Sequence, residues 1–182
     1  MASRCRVTDN ISADCDALRR VGGVNKRFWL FNAADVTYTE DGSGYVNSLA
    51  FSSIYGGLYE FEGKKKSHSG GYTLVKQSGG NTFFQHDVIA KLISTTPADD
   101  ETIEELSVAD VGIILETNNN EFMVYGIDNG LEMTAGTQNS GQESASDITD
   151  SLTFQGEERR KPRRFLVTNY QTTLNYLNAR VI

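Results

Sequence analysis

From Tyr45 to Ser53 the side chains alternate in kind, with Tyr45, Asn47, Leu49 and Phe51 in one phase and Val46, Ser48, Ala50 and Ser52 in the other. A period of two is what a strand buried mainly on one face requires, because successive side chains point to opposite sides. Leu58 to Glu62 repeats the alternation, and Lys26 to Phe31 reads as a short aromatic strand. Tyr72 to Gln77 and Thr82 to Ile93 are joined by Ser78-Gly79-Gly80-Asn81, a connection rich in the residues hairpins use where φ is positive. In the second of these strands Phe83, Gln85, Asp87 and Ile89 alternate with Phe84, His86, Val88 and Ala90. Both phases carry apolar groups, so this hairpin is either a central element or an arm that packs on a neighbour. Val111 to Glu116 and Glu121 to Ile127 flank Thr117-Asn118-Asn119-Asn120, Asp128-Asn129-Gly130 is a turn, and Ile148 to Gln155 resumes the alternation.

Two short helices complete the pattern. After Pro97, Asp99-Asp100-Glu101 place acid in a first turn, where it suits the positive end of the dipole, with Ile103, Leu106 and Val108 on one face. Thr168 or Asn169 caps a last helix carrying Tyr170, Leu174 and Leu177 at helical spacing. The polar, Gly-rich stretch from Met133 to Ser146 reads as a loop ordered only by a partner. The expected fold is mainly β, a β-rich α+β domain built as a small antiparallel barrel or sandwich with an extended hairpin. With 182 residues, 38% of them apolar and 23% charged, it is expected to be one domain over 1–182. Its parts are an N-terminal arm over about 1–25, the hairpin over about 72–95 and a basic C-terminal tail over about 159–182. No stretch approaches the roughly 20 apolar residues of a membrane-spanning helix. The first residues, Met1 to Leu18, carry no apolar core of a secretory signal, so a cytoplasmic origin is expected.

Charge is segregated along the chain. Between Lys91 and Arg159 there is no Lys or Arg, whereas fifteen carboxylates fall in that interval, among them Glu101, Glu104, Glu105, Glu116, Glu121, Asp128, Glu132, Asp147 and Asp150. After it come Arg159, Arg160, Lys161, Arg163, Arg164 and Arg180 with no acidic residue to the end. Either the basic ends fold back on the acidic middle, or the complement sits on another copy, where opposite charges set register and orientation. The pI of about 4.8 argues against a dedicated nucleic-acid binder.

Patterns for chemistry are weak. Cys5 and Cys15 are expected to be reduced, and His68 and His86 lack the short paired spacing of zinc sites. The pairs Gly22-Gly23, Gly56-Gly57, Gly70-Gly71 and Gly79-Gly80 do not follow phosphate-loop spacing. The reading is therefore of a protein that is not an enzyme and uses no metal or cofactor.

Two segments carry a family resemblance. Tyr125 to Gly141, followed by Leu152-Thr153-Phe154-Gln155-Gly156-Glu157-Glu158 and Phe165-Leu166, resembles the C-terminal portion of tail tube and related virion proteins of tailed bacteriophages. Cys15 with Val21-Gly22-Gly23-Val24-Asn25-Lys26-Arg27-Phe28-Trp29-Leu30 resembles the opening of the same group. The resemblance covers about half the chain in pieces and its motifs are structural. It implies a subunit of the virion tail that assembles in the host cytoplasm as a ring, commonly a hexamer, contacts other tail or neck proteins, and lets phage DNA pass without binding it specifically. On this view Arg159, Arg160, Lys161, Arg163, Arg164, Phe83 and Phe84 make subunit contacts, and the nine carboxylates named above line the channel, since like charge lets a polyanion slide. The competing reading is an extracytoplasmic β-sandwich module for carbohydrate or protein ligands, with Trp29 and the eight tyrosines as a platform.

Overall fold

The computed structural model describes residues 23–52, 56–63, 67–93, 97–139 and 149–182. Among them run β1 (Val24–Asn32), β2 (Val36–Glu40), β3 (Val46–Phe51), β4 (Tyr59–Glu62), β5 (Ser69–Lys76), β6 (Thr82–Ile93), α1 (Pro97–Leu106), β7 (Val111–Thr117), β8 (Phe122–Tyr125), β9 (Glu132–Asn139), β10 (Thr149–Glu158), β11 (Arg163–Phe165) and α2 (Tyr170–Asn178). They form a seven-stranded sheet in the order β2-β3-β11-β8-β7-β1-β4 and a four-stranded sheet in the order β5-β6-β10-β9. Neither sheet closes on itself, so of the two expected architectures the sandwich describes the molecule and the barrel does not.

Periodicity decides which residues meet. On β1 and β7, Phe28 and Leu30 share one face with Val111, Ile113 and Leu115, and these pack against Val88, Ala90 and Leu92 of β6 and Leu152 and Phe154 of β10. Ile103 and Leu106 of α1 pack on this first core, which lies between the sheets. The opposite phase, Trp29, Phe31 and Ile114, joins Val124, Phe165, Leu49 and Leu177 in a second core between the back of the larger sheet and α2. The layers are thus the four-stranded sheet, the seven-stranded sheet and α2. Each large apolar side chain so enclosed contributes about 1.5–3 kcal/mol relative to exposure.

Helix α2 begins where expected, with the Asn169 side chain accepting the Thr172 N–H at 2.9 Å. It is pinned to β3 by one hydroxyl: Tyr176 accepts from the Leu49 N–H at 2.8 Å and donates to the Leu49 carbonyl at 3.0 Å. The Arg180 guanidinium lies 3.4 Å over the same ring.

Two expectations change and an open one is decided. The segment from Met133, expected to be a loop, is strand β9 up to Asn139, paired with β10 from Glu132↔Gln155 to Asn139↔Thr149. Residues 140–146 of that reading, and residues 1–22 of the N-terminal arm, lie outside the described residues. The basic tail is not a tail: Arg163 to Phe165 pairs with β8 and, through Phe165↔Val46, runs parallel to β3 in mid-sheet. Of the two readings of the β5–β6 hairpin, the central element describes β6, which pairs with β10 from Phe84↔Glu158 to Ile93↔Thr149.

Tyr176→Phe removes both hydrogen bonds to Leu49 and leaves a buried backbone N–H without its partner. A loss of about 1–3 kcal/mol in urea unfolding is expected, with circular dichroism unchanged.

Candidate functional site

The turn after β8 and the end of β10 meet at one corner. Gly126 and Gly130, with φ of 66° and 87°, turn the chain between β8 and β9 in a conformation that only glycine adopts cheaply. Glu158, at the end of β10, accepts the backbone N–H groups of Asp128 at 3.3 Å and Asn129 at 3.0 Å through Oε1. Asn129 Nδ2 donates to the Glu157 carbonyl at 2.7 Å, and Leu131 and Val111 exchange backbone hydrogen bonds at 2.7 and 3.0 Å. Gly156 lies so close beneath Gly130 that a Cβ there would overlap its carbonyl oxygen.

His86 locks the corner from β6. The Gly126 N–H donates to Nδ1 at 3.3 Å, so the proton sits on Nε2, which donates to the Arg160 carbonyl at 2.9 Å. Burial pulls its pKa below the usual 6.5, against the Arg160 carbonyl, which favours the charged form. Burial pushes the Glu158 carboxyl up, against the N–H donors that favour its charged form. The Tyr38 hydroxyl donates to Asp128 Oδ1, and burial together with that carboxylate pushes the phenol up to about 12.

Beside the corner lies the basic run. Glu40, at the end of β2, takes Arg160 and Arg163, each at 3.1 Å, and Arg164 reaches Glu121 at 3.9 Å. The fold thus turns part of the basic end back on its own acidic groups, and its main acceptor, Glu40, lies outside the acidic interval. Arg159 and Lys161 are exposed and make no ion pair among the described residues.

The carboxylates expected on a channel wall are dispersed. Glu101, Glu104 and Glu105 are exposed on α1, and Asp128 and Glu132 are exposed at the corner and the start of β9. Glu116 and Asp150 are buried within the chain, 1% and 7% exposed, which corrects their placement on such a wall; the Tyr170 hydroxyl donates to Glu116 Oε1 at 2.7 Å. Asp147 lies outside the described residues. Asp110, Glu132 and Glu157 line one polar groove of about 420 Å³ with Gln85, Asn129 and Gln155, with no cation in its wall.

Phe83 and Phe84 are half-buried, and Phe84 meets the ring of Tyr72 edge-on at 5.7 Å. Tyr72 and Leu74 beside them are 50% and 48% exposed. Trp29, placed by the competing reading on a sugar platform, is wholly enclosed in the second core. Among the described residues no group of three or more His, Cys, Asp or Glu is placed to hold a metal ion.

The two corner groups have opposite pH signatures. His86 has a folded pKa below its unfolded value, so its contribution is intact above about 6.5 and is lost as pH falls toward the folded value. Glu158 has a folded pKa above 4.5, so its contribution is present below that and lost as pH rises through the folded value. From pH 7 to 5, wild type should lose stability relative to His86→Gln and gain it relative to Glu158→Gln, by at most about 1.4 kcal/mol per pH unit. Urea unfolding at three pH values measures both; equal signs would contradict the assignment.

No protein-family model matches this chain, and no curated protein sequence matches it.

Proposed function

We propose that this protein is a structural subunit of a tailed-phage virion, a tail tube or neck ring component that assembles with copies of itself around a conduit for DNA. The observation that carries the reading is the four-stranded sheet, whose edge strands β5 and β9 have eight residues each and pair outward with nothing among the described residues. A long, exposed edge is a template for another strand. The strands alternate in direction from β5 to β9, so β9 of one copy beside β5 of the next continues the antiparallel order.

Such a contact joins two different edges, and repeated rotation closes it into a ring. With six copies, the number the family resemblance implies, four strands each give about 24 around the ring. At roughly 4.8 Å per strand the circumference is about 115 Å and the bore about 37 Å, wide enough for duplex DNA with side chains inside.

One face of this sheet packs on the first core, so the other would form the wall. It carries Gln85, Asp87, Ile89, Ser151, Thr153, Gln155 and Glu157, with Glu132 on β9 and Lys91 as a cation. Asp87 accepts from Gln85 at 3.3 Å and Gln155 at 2.8 Å. The wall is then mostly neutral and polar with a slight acidic excess, and of the nine carboxylates expected there only Glu132 belongs to it. Few fixed cations leave little to hold a phosphate backbone.

Negative-stain microscopy of the purified protein at tens of micromolar should show rings or stacked tubes. Sedimentation of a monomer alone at that concentration would overturn the reading.

A further inference from the structure

The two flanks of the seven-stranded sheet differ in charge. On one flank the turn between β2 and β3 and the approach to β11 enclose a recess of about 230 Å³ lined by Ser43, Gly44, Tyr45, Lys161, Arg163 and Arg164. Asp41 shapes the turn by accepting the N–H groups of Ser43 and Tyr45, both at 2.9 Å. Glu40 holds one end of the Arg163 fork, while the buried Nε of the same guanidinium has no partner. Arg164 has only its distant Glu121, and Lys161 has no counter-charge among the described residues. The recess therefore presents cations whose neutralisation is incomplete.

On the other flank α1 lies along β4, where Asp99, Thr102 and Ile103 share a groove with Tyr59 to Glu62. Ile103 and Leu106 turn toward the first core, and Asp100, Glu101, Glu104 and Glu105 are exposed. Positions 101, 104 and 105 are spaced to present carboxylates on one side of the helix. The chain supplies no Lys or Arg between residues 92 and 158, so α1 cannot be neutralised from its own neighbourhood in sequence. Strands β11 and β4 stand four places apart in the sheet, about 19 Å at the usual spacing, so one copy cannot bring recess and helix together.

We propose that the recess is an oxyanion-binding site and that it takes the α1 carboxylates of a second copy, Glu104 with Glu101 and Glu105 beside it. Arginine forks and a lysine suit carboxylates through charge-assisted hydrogen bonds, and the contact joins unlike flanks as a ring requires. The choice of a second copy as the occupant rests on the assembly reading above; the oxyanion site itself does not.

Lys161 and Glu104 are both exposed, so reversing either tests the contact without disturbing the core. Lys161→Glu and Glu104→Lys should each weaken association at least tenfold in sedimentation at low salt, and the double swap should recover most of it. Equilibrium dialysis against inorganic phosphate forms the second arm. Glu104→Lys, whose recess is intact and vacated, should bind phosphate saturably at one site per chain, and Lys161→Glu should not. If rings form as well in both single variants as in wild type, the contact is overturned while the assembly reading stands. If wild type never associates yet phosphate binds and Lys161→Glu abolishes it, the second copy is overturned as the occupant. Absence of both phosphate binding and any effect of charge reversal overturns the site.

Discussion

The pairing of β1 with β7, buried from both sides, is the constraint on which every layer rests. Each strand offers one phase of apolar residues to the smaller sheet and the other to α2. Because both phases are apolar, hydrophobicity alone does not choose between registers one residue apart, although such a slip exchanges the two faces. Glu116 makes the choice. In the native register it lies on the α2 side, where Tyr170 gives it a hydrogen bond; moved by one place it would enter the apolar space between the sheets. A buried carboxylate without a partner there costs several kcal/mol, so one polar side chain at the end of β7 fixes the alignment of two cores.

The corner around Glu158 follows a related logic. A turn with two positive-φ glycines leaves backbone N–H groups pointing away from any strand partner, and a carboxylate placed at the end of a neighbouring strand accepts two of them. That couples the smaller sheet, through β10, to the connection that leaves the larger one, through β8. His86 adds a third tie, to Gly126 and to the backbone just before the basic strand. The turn after β8, the end of β10 and the middle of β6 are therefore neighbours in space that hold one another.

Much of this architecture is legible in the sequence because burial imposes period. Strands β3 to β8 and β10, both helices and the Asn169 cap all carry alternation, helical spacing or turn residues. Strand β9 is not legible: Met133 packs on the core, Glu132 and Thr134 to Gln138 are exposed and small or polar, and its ladder is held by backbone groups that leave no trace in side-chain type. Strand β11 is hidden by its length of three residues and by its two arginines, of which Arg164 lies on the opposite face from Arg163 and Phe165, while Phe165 anchors the strand in the second core. Val36-Thr37-Tyr38-Thr39-Glu40 does alternate, but a single three-residue turn separates it from β1 and masks its start. The site is less legible still. The ion pairs of Glu40 span 120 and 123 positions, and no local pattern announces a pairing that only the folded sheet creates.

The position of β11 sets the order in which the chain can become a sheet. Among the described residues the hairpin of β2 and β3 joins the rest of the larger sheet only through β11, which follows every other strand of that sheet in sequence. Residues 36–51 leave the ribosome early, yet their place in the sheet opens only once the far later β11 has been made. Closing so long a loop puts this step among the slow ones for a β protein. Until then the β3 edge and the faces destined for the second core stay uncovered. The basic flank is consequently completed by the strand that comes last in sequence, whereas the acidic flank is built from segments that precede it.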